Sequence, residues 1–221
     1  MPARRLVAGV ATRYVQGGFR RKNMKLAYSP ASPYVRKVTA SAIKRGIDDR
    51  IERLKIGTTD PALLQYNPLS KVPTLVMDDG MCIYDSPVIC EYLDSVGTAP
   101  RLFPASGAPR WKALTQMALG DGILDATQPR RRELTLPQDE GRKSYIELQQ
   151  GKVRRAVDLL EKEAGTLGEL ETIGEITIGC ALGYLDFRYA NEAWRPGHPK
   201  LEAWYAKVVK LPPLAATMPV G

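Results

Sequence analysis

Along the first hundred residues the apolar positions change period several times, and each change predicts a boundary. Lys25-Leu26-Ala27-Tyr28 predicts a short strand that stops at Ser29-Pro30. The spacing that follows predicts a helix from Pro33 to Lys44, closed by Gly46. Ile51 and Leu54 alternate with charges and predict a second strand over Arg50 to Lys55. A short helix over Pro61 to Tyr66 ends at Asn67-Pro68. Thr74-Leu75-Val76-Met77 and Met81-Cys82-Ile83-Tyr84 flank Asp78-Asp79-Gly80, a strong local signal for a β-hairpin. Helical spacing returns over Pro87 to Leu93. The order β-α-β-α-β-β-α predicts a small α/β sandwich with a mixed sheet.

After Gly97 the strand pattern ends. Pro100, Pro104, Gly107 and Pro109 mark a linker over residues 99–109. Helices are then predicted over Trp111 to Ile123, Ser144 to Ala164, Ile176 to Arg188 and Pro199 to Lys210. Thr172-Ile173-Gly174-Glu175 is a capping box that fixes the start of the third. Gly179, Ala181 and Gly183 leave that helix thin enough to sit deep in a bundle. Arg130-Arg131-Arg132 reads as a solvated turn or helix end, with contact to an anion as the other reading. The expected organisation is an N-terminal α/β domain over residues 24–98 and an all-α C-terminal helical bundle over residues 110–221.

The composition, 44% apolar and 25% charged over 221 residues, suits folded domains able to bury a core without metal or disulfides. No apolar run is long enough for a membrane-spanning helix, and no membrane partner is expected. The net charge of +8 would suggest nucleic acid were it spread over a folded face. Six of those charges instead lie at Arg4, Arg5, Arg13, Arg20, Arg21 and Lys22, in a leader without Asp or Glu; without them the net charge is +2. Three readings fit residues 1–23: a targeting presequence, a basic arm, or sequence upstream of the natural start at Met24. Each places the leader outside the fold, and no nucleic-acid partner is expected.

One histidine and three scattered cysteines exclude a zinc-finger spacing and a Ser-His-Asp triad, and no metal is expected. Cys82, Cys90 and Cys180 sit among apolar neighbours and read as buried, reduced thiols, which points to a reducing, cytoplasmic setting. His198 reads as a loop or cap residue before the last helix.

Three short segments remain for chemistry. In Ser29-Pro30-Ala31-Ser32-Pro33-Tyr34, Ser32 is the natural N-cap of the first helix. The helix N-terminus beside it is also a place for an anion such as a thiolate. In Lys71-Val72-Pro73-Thr74, a proline just before a strand suits either an ordinary loop or a cis bond in a tight turn. Such a turn would expose the N–H and C=O of Val72 to an extended, peptide-like ligand. In Asp85-Ser86-Pro87, Ser86 is expected to cap the next helix. There Ser86 could also hold an amino-acid carboxylate while Asp85 attracts the adjoining ammonium.

Taken together, Ser32-Pro33-Tyr34, Lys71-Val72-Pro73 and Asp85-Ser86 resemble the cytosolic glutathione transferase family over nearly all of residues 24–221. Pro104, the capping box and Pro199-Lys200-Leu201-Glu202-Ala203-Trp204 extend the likeness into the helical half. Ser32 matches the serine branch, where omega-like members carry cysteine, and the chain is closest to bacterial members. Glu171 stands where the family usually has an apolar staple residue, so a weaker cap is expected there.

The resemblance implies a thioredoxin-like first domain and glutathione as co-substrate. Val72 would pair with its cysteinyl backbone, and Asp85 and Ser86 would hold its γ-glutamyl end. Lys71 would either reach the glycyl carboxylate or remain a solvated lysine. Ser32 would donate a hydrogen bond to the sulfur, with Ser29 as the alternative donor. A small electrophile would lie against Tyr34 and residues such as Trp111, Met117 and Asp121. The family also implies a homodimer. A catalyst that adds the thiolate to an electrophile is the leading expectation. Isomerase or peroxidase chemistry, or a non-catalytic binding module on the same fold, are its alternatives.

Overall fold

The computed structural model describes residues 23–221. The leader expectations fall outside those residues. Strands β1 (Met24–Tyr28), β2 (Ile51–Lys55), β3 (Thr74–Met77) and β4 (Cys82–Ile83) form one mixed sheet in the order β2-β1-β3-β4. β1 runs parallel to β2, with Met24 opposite Ile51, and antiparallel to β3, with Leu26 opposite Leu75. The hairpin closes as expected, Leu75 facing Ile83, but β4 keeps only two residues.

Helix α1 (Pro33–Lys44) links β1 to β2 and has the predicted bounds. Gly46 follows its end at φ +68°, a conformation that suits glycine. The predicted helix over Pro61 to Tyr66 is a 3-10 turn, Pro61–Gln65, capped by Asp60. Helix α2 (Ser86–Val96) closes the α/β half.

The helical half consists of α3 (Gly107–Glu133), α4 (Glu140–Glu163), α5 (Ile173–Arg188), α6 (Pro199–Val208) and a short α7 (Pro212–Ala215). α3 is twice as long as the sequence pattern predicts. Pro109 lies in its first turn, where the missing N–H costs nothing. Pro129 lies inside the helix and removes one backbone bond, a loss tolerated where α3 is packed along α5. The contact is close: a Cβ on Gly120 would come within 2.8 Å of Thr177 Cγ2 and 3.0 Å of its carbonyl carbon. Thirteen successive residues of α5, Ile173 to Leu185, are buried, as its small residues lead one to expect. The capping box is present, and the Glu175 carboxylate also accepts from the N–H groups of Gly168 and Glu171. The apolar residue buried in front of that helix is Leu170, one place before Glu171.

Helix α1 joins the halves, packing against α2, α5 and α7. Its charged residues are therefore not on a solvent face. Arg36 donates to the carbonyl of Leu214 at 3.1 Å and fits the gap left by Gly183. Lys37, 0% exposed, holds Asp121 of α3 at 2.7 and 2.8 Å. Arg45 meets Asp94, whose carboxylate accepts from the N–H groups of Leu102 and Phe103 and so ties down the start of the linker. One apolar core runs from Met24 and Leu26 through Ile89 and Leu93 to Ile123, Ile178 and Leu201.

Candidate functional site

The sequence-predicted segments Ser29–Ser32, Lys71–Val72 and Asp85 meet along one side of a cleft of about 530 Å³ between the two halves. That volume suits a small molecule. Ser32 is the N-cap of α1, extended at φ −82° and ψ 121°, with its Oγ accepting from the Val35 N–H at 3.3 Å. The cap uses only the lone pairs of Oγ, so the hydroxyl proton remains free to donate. The Ser32 N–H donates to the Ser29 carbonyl at 3.1 Å, which fixes the loop carrying both serines.

The Val72–Pro73 bond is cis. The Lys71 carbonyl is held from inside by Asn67 Nδ2 at 3.1 Å and Thr74 Oγ1 at 2.9 Å. The N–H and C=O of Val72, next along the chain, take no hydrogen-bond partner among the described residues. An unpaired backbone N–H and C=O at a cleft are suited to pairing with another backbone. Lys71 is exposed at the same edge.

At α2 the structure corrects the expected cap. Asp85, not Ser86, is the N-cap, and its carboxylate accepts from the Ser86 N–H. Ser86 is the first helical residue, because the chain is still extended at Asp85, with φ −86° and ψ −174°. The Ser86 hydroxyl, in a residue 1% exposed, has no hydrogen-bond partner. A buried unpaired hydroxyl is costly and uncommon in a folded protein.

The opposite wall comes from α3 and α5, through Asp125, Gln128, Pro129, Arg131 and Tyr184. The Tyr34 hydroxyl crosses the cleft floor and donates to Asp125 Oδ1 at 2.5 Å. Burial, reinforced by that bond and the nearby carboxylates, raises the Tyr34 phenol well above its ordinary pKa, so it remains protonated.

The other residues expected near an electrophile are elsewhere. Trp111 is 66% exposed early in α3, and neither it nor Met117 or Asp121 lines the cleft. Asp121 is occupied by Lys37; its carboxyl pKa is raised because burial outweighs the lysine's attraction. The arginine triplet forms the last turn of α3, a helix end as in one of the two readings, but its three side chains do not share one solvated face. Arg130 is buried and holds both oxygens of Glu192, at 2.7 and 2.8 Å, whereas Arg131 faces the cleft. One helical step of about 100° separates the two.

Cys90 and Cys180 are buried thiols whose pKa values burial pushes up to about 11. Cys82 is half-buried rather than buried, because β4 is short and lies at the sheet edge. His198 stands in front of α6 and bonds the Trp194 carbonyl and Asp158, away from the cleft. Among the described residues no cluster of His, Cys, Asp or Glu could hold a metal, and no helix is long and apolar enough to cross a membrane.

Comparison with known proteins agrees with this layout. Residues 31–96 match the glutathione S-transferase N-terminal domain, and residues 140–207 match the C-terminal domain of the same family. The uncharacterized GST-like protein YibF of Escherichia coli K12 is 35% identical over 181 residues, covering 80% of this chain and 90% of that protein. The chain belongs to the glutathione S-transferase family.

A glutathione transferase family member from Pseudomonas fluorescens Pf-5 is 40% identical, with a TM-score of 0.81 over 90% of this chain and 100% of that one. Its crystal structures hold glutathione in one case and S-(propanoic acid)-glutathione in another. A glutathione S-transferase from Methylobacillus flagellatus KT, crystallised with glutathione, is 34% identical, with a TM-score of 0.82 over 89% and 100% of the two chains. In this family the α/β half is the thioredoxin-like domain, and the mixed four-stranded sheet followed by helices is its architecture.

Proposed function

We propose that this chain is a serine-type glutathione transferase that binds glutathione in the cleft and activates its thiol for attack on a small electrophile. The backbone of Val72 pairs with the cysteinyl residue. The γ-glutamyl end takes Asp85 as the partner of its ammonium and the Ser86 hydroxyl as a donor to its carboxylate. Lys71 approaches the glycyl carboxylate from the exposed edge. Ser32 donates to the sulfur at the N-terminus of α1, where unpaired N–H groups add to the stabilisation of a thiolate. The electrophile occupies the space between Tyr34 and the wall formed by α3 and α5. Support also comes from the glutathione bound by the Pseudomonas and Methylobacillus relatives.

The observation that carries this reading is a pair of unsatisfied groups, the Val72 backbone in the cleft and the buried Ser86 hydroxyl next to the cleft residue Asp85. A peptide with an α-amino acid at one end satisfies both. A homodimer is part of the proposal; Met81, Val88 and Trp111 leave apolar surface exposed for a second copy. Retention on immobilised glutathione with elution by free glutathione is the expected result. It is to be followed by turnover of at least one member of a panel of aryl halides, peroxides and mixed disulfides. Retention without any turnover would favour a non-catalytic binding module, and flow-through would overturn the glutathione reading. Sedimentation of an active monomer at micromolar concentration would overturn the dimer.

A further inference from the structure

The glutathione contacts proposed above lie on the Ser32, Val72 and Asp85 side of the cleft and leave the facing wall unused. One arginine, Arg131, lines that wall, and a second, Arg188, lies on α5 one turn from the wall residue Tyr184. Arg131 lies six residues beyond Asp125 on α3, about 9 Å farther along the helix at 1.5 Å per residue. Arg188 lies one turn beyond Tyr184 on α5, with its guanidinium stacked 3.8 Å from the Phe187 ring centre. Tyr184 is 2% exposed and lines the cleft, and the positive charge of both arginines acts on its phenol.

Neither arginine forms an ion pair among the described residues, although their neighbours do. Arg130 holds Glu192 and Arg195 holds Asp186. Asp125, the acid on this wall, accepts the Tyr34 hydroxyl instead. Arg188 Nε is buried and has no hydrogen-bond partner. The chain returns to this corner at Gly221, where a Cβ would sit 3.8 Å from Arg188 Nη2, yet no ion pair forms there. Two like charges near one phenol repel each other, and an anion between them removes that cost. Guanidinium groups suit a carboxylate because their N–H groups are arranged to meet both its oxygens.

We propose that Arg131, Arg188 and the Tyr184 hydroxyl form the anion-recognition end of the electrophile site, so that the preferred electrophile is an aromatic acid whose carboxylate lies across the ring from the reacting carbon. This rests on the glutathione reading of the cleft. The Tyr184 hydroxyl donates to no protein acceptor among the described residues, so its proton is free for a ligand in the cleft. Burial raises the Tyr184 pKa against the opposing effect of the two arginines, which keeps that proton in place. The Tyr34 ring and Pro129 supply apolar surface for the ring of the electrophile. With 4-chloro-3-nitrobenzoate, the thiolate sulfur bonds to the ring carbon, the C–Cl bond breaks, and chloride leaves with the bonding pair. The thiol proton has already passed to solvent.

The test separates this proposal from the one it rests on. Calorimetry would measure the binding of glutathione, its S-(4-carboxy-2-nitrophenyl) conjugate and the matching carboxamide conjugate. The acid conjugate is expected to bind about tenfold more tightly than the amide, as hydrogen bonds to a charged group imply. Arg131→Gln, at an exposed position, should bring that ratio to within about twofold of unity, and Arg188→Gln should reduce it as well. Turnover of 4-chloro-3-nitrobenzoate against its amide, each divided by its uncatalysed rate, should follow the same ratio. If glutathione binds but the acid and amide conjugates bind equally, or the ratio survives both substitutions, the proposal is overturned and the glutathione reading stands. If glutathione itself does not bind, both fall.

Discussion

Replacing Ser32 by alanine tests the thiolate chemistry directly. A free cysteine thiol has a pKa of about 8.5, so only a few per cent is ionised near neutrality. Lowering it by about two units requires roughly 2.7 kcal/mol in favour of the thiolate. A hydrogen bond to a charged group contributes about 1.5–3 kcal/mol, and a helix N-terminus about 0.3–2 kcal/mol. The free Ser32 proton and the start of the 12-residue α1 supply both without a histidine.

Loss of the hydroxyl should then raise the thiol pKa by about one to two units, at 1.36 kcal/mol per unit. The pH midpoint of turnover moves up by the same amount. The rate at pH 7 falls roughly 3- to 25-fold, following the thiolate fraction. Glutathione affinity should stay within a few-fold, because Val72, Asp85 and Ser86 are untouched. Ser32 is also a helix cap, and its loss costs about 0.5–2 kcal/mol of stability, whereas glycine at a cap costs only a few tenths. Ser32→Gly therefore separates the roles, with the same pH shift and a much smaller fall in Tm. The assay is a pH–rate profile together with thiolate absorbance of bound glutathione. An unchanged profile in both variants would refute the assignment and make Ser29, or a backbone N–H at the start of α1, the donor.

Three further substitutions follow from the same geometry. Ser86→Ala should leave the Tm of the ligand-free protein unchanged or slightly higher, because it removes an unpaired buried hydroxyl, while weakening glutathione binding about tenfold in calorimetry. Tyr34→Phe should leave the pH midpoint of turnover in place, since the Tyr34 proton belongs to Asp125; a midpoint raised by a unit would show that the phenol serves the thiolate. Lys37→Met strands Asp121 beside the core and should cost about 3–5 kcal/mol in urea unfolding, with Asp121→Leu on the same chain recovering most of it.

Much of the α/β half was legible because its signals are local. The Asp-Gly hairpin, the Ser32-Pro33 cap and the apolar alternation of β2 each depend on a few adjacent residues. The capping box and the small residues of α5 were legible for the same reason. The facing wall of the cleft was not. Pro129 reads as a break, so the pattern ends α3 at Ile123 and leaves Asp125, Gln128 and Arg131 beyond its end. With the helix phase lost, nothing local separates Arg130, which turns inward, from Arg131, which faces the cleft. Lys37, Arg36 and Arg45 look like the solvated face of a surface helix, yet α1 is covered by α2, α5 and α7. Only the long-range partners Asp121, Leu214 and Asp94 explain their burial.

The hydroxyls of the cleft can be sorted by what already holds them. Tyr34 is committed to Asp125, and its raised pKa prevents it from serving as a base. Tyr184 lies with Arg131 on the wall formed by α3 and α5, opposite the Val72 turn. The Ser86 oxygen is buried and is not among the cleft's lining residues, and in the proposed glutathione pose it meets the γ-glutamyl end rather than the sulfur. Ser29, Ser32 and Thr58 remain, and of these Ser32 is the one fixed at a helix terminus, with one lone pair engaged by the Val35 N–H and its proton left over. The cap fixes that oxygen in place while leaving its proton to donate. A thiolate at a helix N-terminus requires a donor, and the cap of α1 provides both from one residue.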